Sequence, residues 1–134
     1  MGPEAKLYQK IRKASPNILW NRIENLSIPG MPDALGYNKR KTFFTVEFKI
    51  TKGNKIKFSP HQIAWHKTHP ENTFIIVGTH GPRSSKTSSI FLYQGSQILK
   101  LAACGLALEP RATGLKACCL ELEACGLTLE NLSV

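Results

Sequence analysis

No stretch of this sequence approaches the roughly 18 uninterrupted apolar residues that a membrane helix requires, so no spanning segment is expected in its 134 residues. The N-terminal MGPEAKLYQK has no apolar run of the kind a secretory signal carries, and it lacks the Ser/Thr of a myristoylation signal. A cytoplasmic protein with no membrane partner is the expectation. Cysteine occurs only late, at Cys104, Cys118, Cys119 and Cys125, with no CxxC pair and no nearby histidine to complete a structural zinc site. Free thiols are expected, since disulfides are rare in a reducing compartment. Acidic residues are scarce: 9 Asp/Glu face 18 Lys/Arg, for a net charge of +9.

The shortage of acid is uneven. Residues 1–100 carry 16 basic and 5 acidic residues, whereas 101–134 carry 2 and 4. A basic domain of this strength fits a polyanionic partner, because Lys and Arg release counterions from a phosphate backbone. A hydrophobic fraction of 42% fits one globular domain with a real core.

Residues 4–13 place Ala5, Leu7, Tyr8 and Ile11 near one face of a short helix, which Ser15-Pro16 ends because proline disfavours helical geometry in the residue before it. Part of 17–28 alternates as a strand. The breaker PGMPD (29–33) leads into a short strand over 33–38, and Lys39-Arg40-Lys41 forms a charged turn. TFFTVEFKI (42–50) is rich in β-branched and aromatic residues and predicts a strand. A basic loop follows, and Ser59-Pro60 supplies an N-cap and a first-turn proline for a helix ending before Pro70. TFIIVGT (73–79) and SIFLYQG (89–95) read as strands flanking a polar loop, and Ser96 as the cap of a last helix ended by Gly105. The order α-β-β-β-α-β-β-α implies an α/β fold, a mixed central sheet flanked by helices.

Leucine then recurs every seven residues at 101, 108, 115, 122 and 129, within near copies LAACGLALE, LKACCLELE and LEACGLTLE. Such a period would suggest a coiled coil, but Gly105, Pro110, Gly114 and Gly126 oppose a continuous helix. Alternation in GLALE, CLELE and GLTLE favours short extended pieces. The expectation is a domain over 1–110 and a weakly ordered or leucine-associating heptad-repeat tail over 111–134.

The chemistry-bearing unit is Gly30-Met31-Pro32-Asp33, then Glu47-Phe48-Lys49 on the next strand. Residues i and i+2 of a strand share a face, so Glu47 and Lys49 stand side by side with Phe48 turned toward the core. A turn at Asn38–Lys41 would return the chain antiparallel and set Asp33 beside them. An isolated Glu-x-Lys is ordinarily an ion pair on a solvated face. Two carboxylates and an ammonium converging on one spot have a further use. Mg2+ takes oxygen ligands and keeps several waters, so one or two carboxylates and a phosphate oxygen suffice. Bound there, it would polarise a phosphate and acidify a water, with Lys49 orienting that water or neutralising developing charge. The backbone carbonyl of Phe48 is a further candidate ligand.

GMPD, VEFK and SPHQIAW together resemble the motifs of the PD-(D/E)XK nuclease superfamily, and are most similar to the small VRR-NUC and Holliday junction resolvase-like enzymes, many of them phage-encoded. Arg22-Ile23-Glu24-Asn25 also resembles a motif of phage-type members, and the resemblance covers about residues 4–110. It implies a restriction-endonuclease-like core and a metal-dependent endonuclease acting on DNA, with branched or structured DNA as a substrate class. It implies Asp33 and Glu47 as ligands of Mg2+ (Mn2+ substituting), Lys49 as the catalytic lysine, and Gln62 as a residue close to the active site. A further acidic ligand is implied, for which Glu4 and Glu24 compete. Pairing of two copies, a homodimer, is a further expectation for an enzyme that cuts both strands.

Lys52, Lys55, Lys57, Arg83 and Lys86 flank the proposed site and form a candidate nucleic-acid footprint. Trp65 is read as core packing, and His61, His66 and His69 as solvated histidines. The serines of 84–89 lack a His/Asp arrangement for nucleophilic work. The alternative function is a non-catalytic DNA-binding module on the same fold.

Overall fold

The computed structural model describes residues 2–23, 28–80 and 89–126. Helix α1 (Pro3–Ala14) is followed by strands β1 (Leu19–Arg22), β2 (Ala34–Tyr37) and β3 (Phe43–Thr51), then helix α2 (Pro60–Thr68). Strands β4 (Thr73–Thr79) and β5 (Ile90–Gln94), helix α3 (Ile98–Cys104), the short strand β6 (Ala112–Thr113) and helix α4 (Leu115–Ala124) complete it. This is the expected α/β order, with a strand and a helix added at its end. The expected Ser96 cap is not made: Gly95–Gln97 form a 3-10 turn that runs into α3 without a side-chain cap.

The described strands form one sheet in the order β1-β2-β3-β4-β5-β6. β3 and β4 are parallel, with Glu47 beside Ile75 and Lys49 beside Val77, and α2 makes the crossover between them. The other neighbours are antiparallel. Each face of the sheet has its own core. On one, Phe44, Val46, Phe48, Ile76 and Leu92 pack against Leu7, Tyr8 and Ile11 of α1. On the other, Ile75, Val77 and Tyr93 pack against Ile56 and against Ile98 and Leu101 of α3. The largely apolar TFIIVGT serves both, as a central parallel strand must. Among the described residues no helix is long and apolar enough to cross a membrane.

The boundary expected at residue 110 does not separate a tail from the domain. Ala112–Thr113 pair with β5, and Cys118, Cys119 and Leu122 of α4 are buried in the same core as α1. CLELE, expected to be extended, is helical. The heptad leucines mislead because only Leu115 and Leu122 fall on this helix, and the face they mark meets the sheet and α1. Leu129 lies outside the described residues.

Asn38 ties this helix to the hairpin. Its buried Nδ2 donates to the carbonyls of Leu122 and Cys125, both at 2.9 Å. Its Oδ1 accepts from the backbone N–H groups of Arg40 at 3.0 Å and Thr42 at 3.2 Å, closing the β2–β3 turn. Leu122→Ala is therefore expected to cost about 2–5 kcal/mol by cavity formation, and Asn38→Ala about 1–3 kcal/mol by stranding those groups. Denaturant unfolding of each variant checks this; a Leu122→Ala midpoint equal to wild type would show the helix to be dispensable.

Candidate active site

The site begins with an unequal pairing of β3. Its edge toward β4 is bonded along seven residue pairs, from Thr45 to Thr51. Its edge toward β2 is paired only from Phe43 to Val46. Beyond Val46, the chain that leads into β2 turns away, and a backbone edge inside the protein needs partners. Asp33 provides them. Its N–H donates to the Val46 carbonyl at 3.1 Å, and its Oδ2 accepts the Phe48 N–H at 2.8 Å. The Asp33 carboxylate thus replaces the missing rung of the ladder. The N–H and C=O of one strand residue point to the same side, so the Phe48 carbonyl is directed to this same open edge.

Gly30 explains how the loop before Asp33 reaches its place. Its φ of +81° is a conformation that glycine adopts without penalty. An added Cβ would also collide with the His61 carbonyl and come within 2.8 Å of the Gln62 N. The loop therefore lies directly on the N-terminus of α2. That terminus is set by a capping box: Ser59 Oγ accepts the Gln62 N–H at 3.1 Å, while Gln62 Oε1 accepts the Ser59 N–H at 3.0 Å. Gln62 is thus near the Asp33 loop through its backbone, and its side-chain oxygen is committed to the cap.

Glu47 is only 2% exposed and its Oε1 has no hydrogen-bond partner. Its pKa is pushed up to about 9, chiefly by burial, then by the charge of Asp33 and a side-chain hydrogen bond to it, with Lys49 opposing and Glu4 adding. Two carboxylates this close repel each other, so Glu47 keeps its proton when no cation is present. Glu4 stands at the exposed rim on α1. Its pKa is raised by partial burial, which Lys49 counteracts and Asp33 reinforces. Lys49 Nζ lies 5.3 Å from the centre of the Phe58 ring, a cation–π contact that steadies it. A small cavity of about 30 Å³, lined by Glu4, Tyr8, Arg22, Asp33 and Phe48, opens beside the cluster; that is room for a water or a small ion.

Asp33, Glu47, Lys49 and Glu4 therefore stand within electrostatic reach of one another. Among the described residues no three His, Cys, Asp or Glu side chains form a ligand cluster. Two carboxylates, a backbone carbonyl and waters are still a sufficient donor set for Mg2+, and the orphaned Glu47 Oε1 is the donor such an ion would satisfy. Glu24, Arg83 and Lys86 lie outside the described residues. Lys52, Lys55 and Lys57 are exposed beyond the far end of β3.

Two expectations do not hold. His66 is not solvated but fully buried, its Nδ1 2.8 Å from the Gln62 carbonyl, because α2 turns that side toward Thr73 and Gly95. Trp65 belongs to neither core; it is not buried, and it stacks on His69 at 4.0 Å. Tyr8 and Arg22 also line the cavity; Arg22 opens the Arg22-Ile23-Glu24-Asn25 segment, while nothing local in the sequence singles out Tyr8 for this place. Arg22 pairs opposite Ala34, and only the strand register brings it next to Asp33.

No protein-family model and no curated protein sequence matches this chain. Among solved structures it is similar to Hjc, a Holliday junction resolvase from the archaeal hyperthermophile Archaeoglobus fulgidus, with a TM-score of 0.47 and 19% identity over 70% of this chain and 75% of that chain. A likeness of this size leaves the chemistry to the residues.

Burial of Glu47 has a measurable consequence. The unfolded chain loses this proton near pH 4.5 while the fold retains it to about pH 9, so between these values the unfolded state binds fewer protons and stability falls as pH rises. Glu47→Gln removes that burden. In EDTA its melting temperature is expected to gain on wild type progressively from about pH 5.5 to about pH 8.5. A constant difference across that range would show Glu47 to be ionised in the fold. Gly30→Ala is expected to destabilise the protein and displace Asp33, seen as a loss of the Phe48 amide's protection from hydrogen exchange.

Proposed function

We propose that this protein is a Mg2+-dependent nuclease of the PD-(D/E)XK type, hydrolysing phosphodiester bonds in DNA, with branched or structured DNA as its substrate class. The observation that carries the reading is the convergence of Asp33, Glu47 and Lys49 on the open edge of β3, with an unpartnered carboxylate oxygen buried among them. A structural ion pair would have no use for two carboxyl groups held against each other at a cost in stability. The open edge, the PD loop seated on α2 and the mixed sheet also fit the restriction-endonuclease-like core implied by the motifs.

In this reading Asp33, Glu47 and the Phe48 carbonyl would hold the ion, and Glu4 at the rim would be the further acidic ligand. When bound, Mg2+ supplies Lewis-acid polarisation of the phosphate and lowers the pKa of a water; Mn2+ is expected to substitute. Asp33 acts twice, since the carboxylate that bonds the Phe48 N–H also fixes where that carbonyl stands. Lys49, held over Phe58, places a positive charge where negative charge develops on the phosphoryl oxygens. Gln62 positions the loop that carries Asp33. Exposed Lys52, Lys55 and Lys57, together with Arg22 at the cavity, bind phosphates on either side of the scissile bond. Pairing of two copies, each cutting one strand, belongs to the same proposal, as do Arg83 and Lys86 as phosphate ligands.

The test is incubation of the purified protein with linear, supercoiled, nicked and four-way-junction DNA, in Mg2+ and in EDTA. Cleavage is expected only with the metal. Asp33→Asn and Lys49→Ala are expected to lower the rate about 100-fold or more while circular dichroism and melting show an intact fold. Full activity in either variant would overturn the mechanism, and salt-sensitive binding without any cleavage would favour a non-catalytic DNA-binding module. Replacing Lys52, Lys55 and Lys57 with alanine should weaken DNA binding. Its salt dependence should flatten by about 0.9 in log-log slope for each phosphate that is no longer neutralised.

A further inference from the structure

One apolar surface is left unused by the carboxylate site. Leu19 on β1 lies opposite Tyr37 on β2, and Tyr37 lies opposite Phe43 on β3. Alternation puts this row on the sheet face that carries Thr45, Glu47 and Lys49. Over β4 and β5 that face is buried under Ile56, Ile98 and Leu101, but this second core does not extend to the row. Leu19 is 66% and Phe43 60% exposed. The Tyr37 and Phe43 rings lie 4.4 Å apart between centroids, tilted by 41°. Tyr37 is half-buried and supports Phe43; large aromatic side chains are ordinarily buried, so the exposed Phe43 ring on a rigid strand hairpin calls for a ligand.

The surroundings say which kind. The turn that joins these two strands is Lys39-Arg40-Lys41, all exposed. Past the other end of β3 stand Lys52, Lys55 and Lys57, so cationic groups bracket the strand on which Glu47 and Lys49 lie. Phe43 precedes Glu47 by four residues on one face, about 13 Å along the strand. An exposed aromatic ring beside cationic side chains, in line with a phosphate-cleaving centre, matches the stacking platforms of proteins that bind single-stranded nucleic acid. A second copy of this chain fits worse, because it carries a net charge of +9 and would meet a cationic rim.

We propose that Tyr37 and Phe43 form a stacking platform for unpaired nucleobases, so that the substrate carries a single-stranded segment next to the bond that is cut. This rests on the nuclease reading and narrows it: the distinguishing feature of the substrate is exposed bases, with Leu19 extending the apolar floor beneath them. The base stacks on the Phe43 ring while Lys39 and Lys41 neutralise the flanking phosphates.

The test is fluorescence anisotropy in EDTA with a labelled oligothymidylate, an abasic oligomer of equal length, and a blunt duplex. Wild type is expected to prefer oligothymidylate over the abasic strand. Phe43→Ala should weaken oligothymidylate binding about tenfold and leave the abasic strand and the duplex unchanged, while Phe43→Trp should bind at least as tightly as wild type. Equal oligothymidylate affinity in wild type and Phe43→Ala would overturn the platform, as would absence of any preference over the abasic strand. So would sedimentation showing a wild-type dimer that Phe43→Ala turns into monomers, since the face would then be a self-interface. EDTA separates this result from the nuclease reading: failure of the latter appears as no cleavage in Mg2+ with stacking intact, and failure of the platform as cleavage that ignores Phe43.

Discussion

The site depends on β3 being paired along one edge for longer than along the other. A central strand with both edges bonded has no backbone group to offer, and a free edge in solvent would bond to water. Here the chain leading into β2 leaves β3 at Val46, inside the protein, and the Asp33 side chain takes up the ladder at Phe48. The same few atoms complete the sheet and set a carboxylate beside Glu47. Fold and site are in that sense one arrangement, and neither Gly30 nor the α2 cap that receives its loop is free to vary without moving Asp33.

The electrostatic cost is concentrated in one residue. Glu47 is enclosed, faces a second carboxyl group and has an unpartnered oxygen. Lys49, which also contacts the face of Phe58, offsets the cost only in part, because burial and the Asp33 charge outweigh it. Natural proteins tolerate such strain where a cation or substrate relieves it, and buried, strongly shifted carboxyl groups concentrate at functional sites for that reason. The remainder of the fold is conventional by comparison: two apolar cores, a capped crossover helix and a buried parallel strand that supply the stability against which the site is held.

The C-terminal segment changes how the domain is bounded. Its leucine period resembles an appended repeat, yet Cys118, Cys119 and Leu122 close the core over α1 and the sheet. Without α4, Ile11, Ile90 and neighbouring side chains would lose their cover. A period of seven is shared by coiled coils and by any amphipathic helix of two to three turns, and only the location of a partner surface tells them apart. Cysteine serves here as a small hydrophobe, a role that spacing rules aimed at metals and disulfides do not detect.

By itself the sequence determined the elements whose signal is local. Alternation and β-branching placed β3, the Ser-Pro cap placed α2, and the two-residue spacing put Glu47 and Lys49 on one face. Their neighbourhood with Asp33 followed from a short hairpin between them. What only the tertiary structure decided is every relation between distant segments: Glu4 of α1 at the rim rather than elsewhere, Arg22 beside Asp33 through register, His66 buried against β4, and α4 inside the core. The physical reason is that backbone geometry and side-chain periodicity act over a few residues. Burial, charge coupling and the choice of which sheet face stays open depend instead on what packs above each strand, and that is set by all the elements at once.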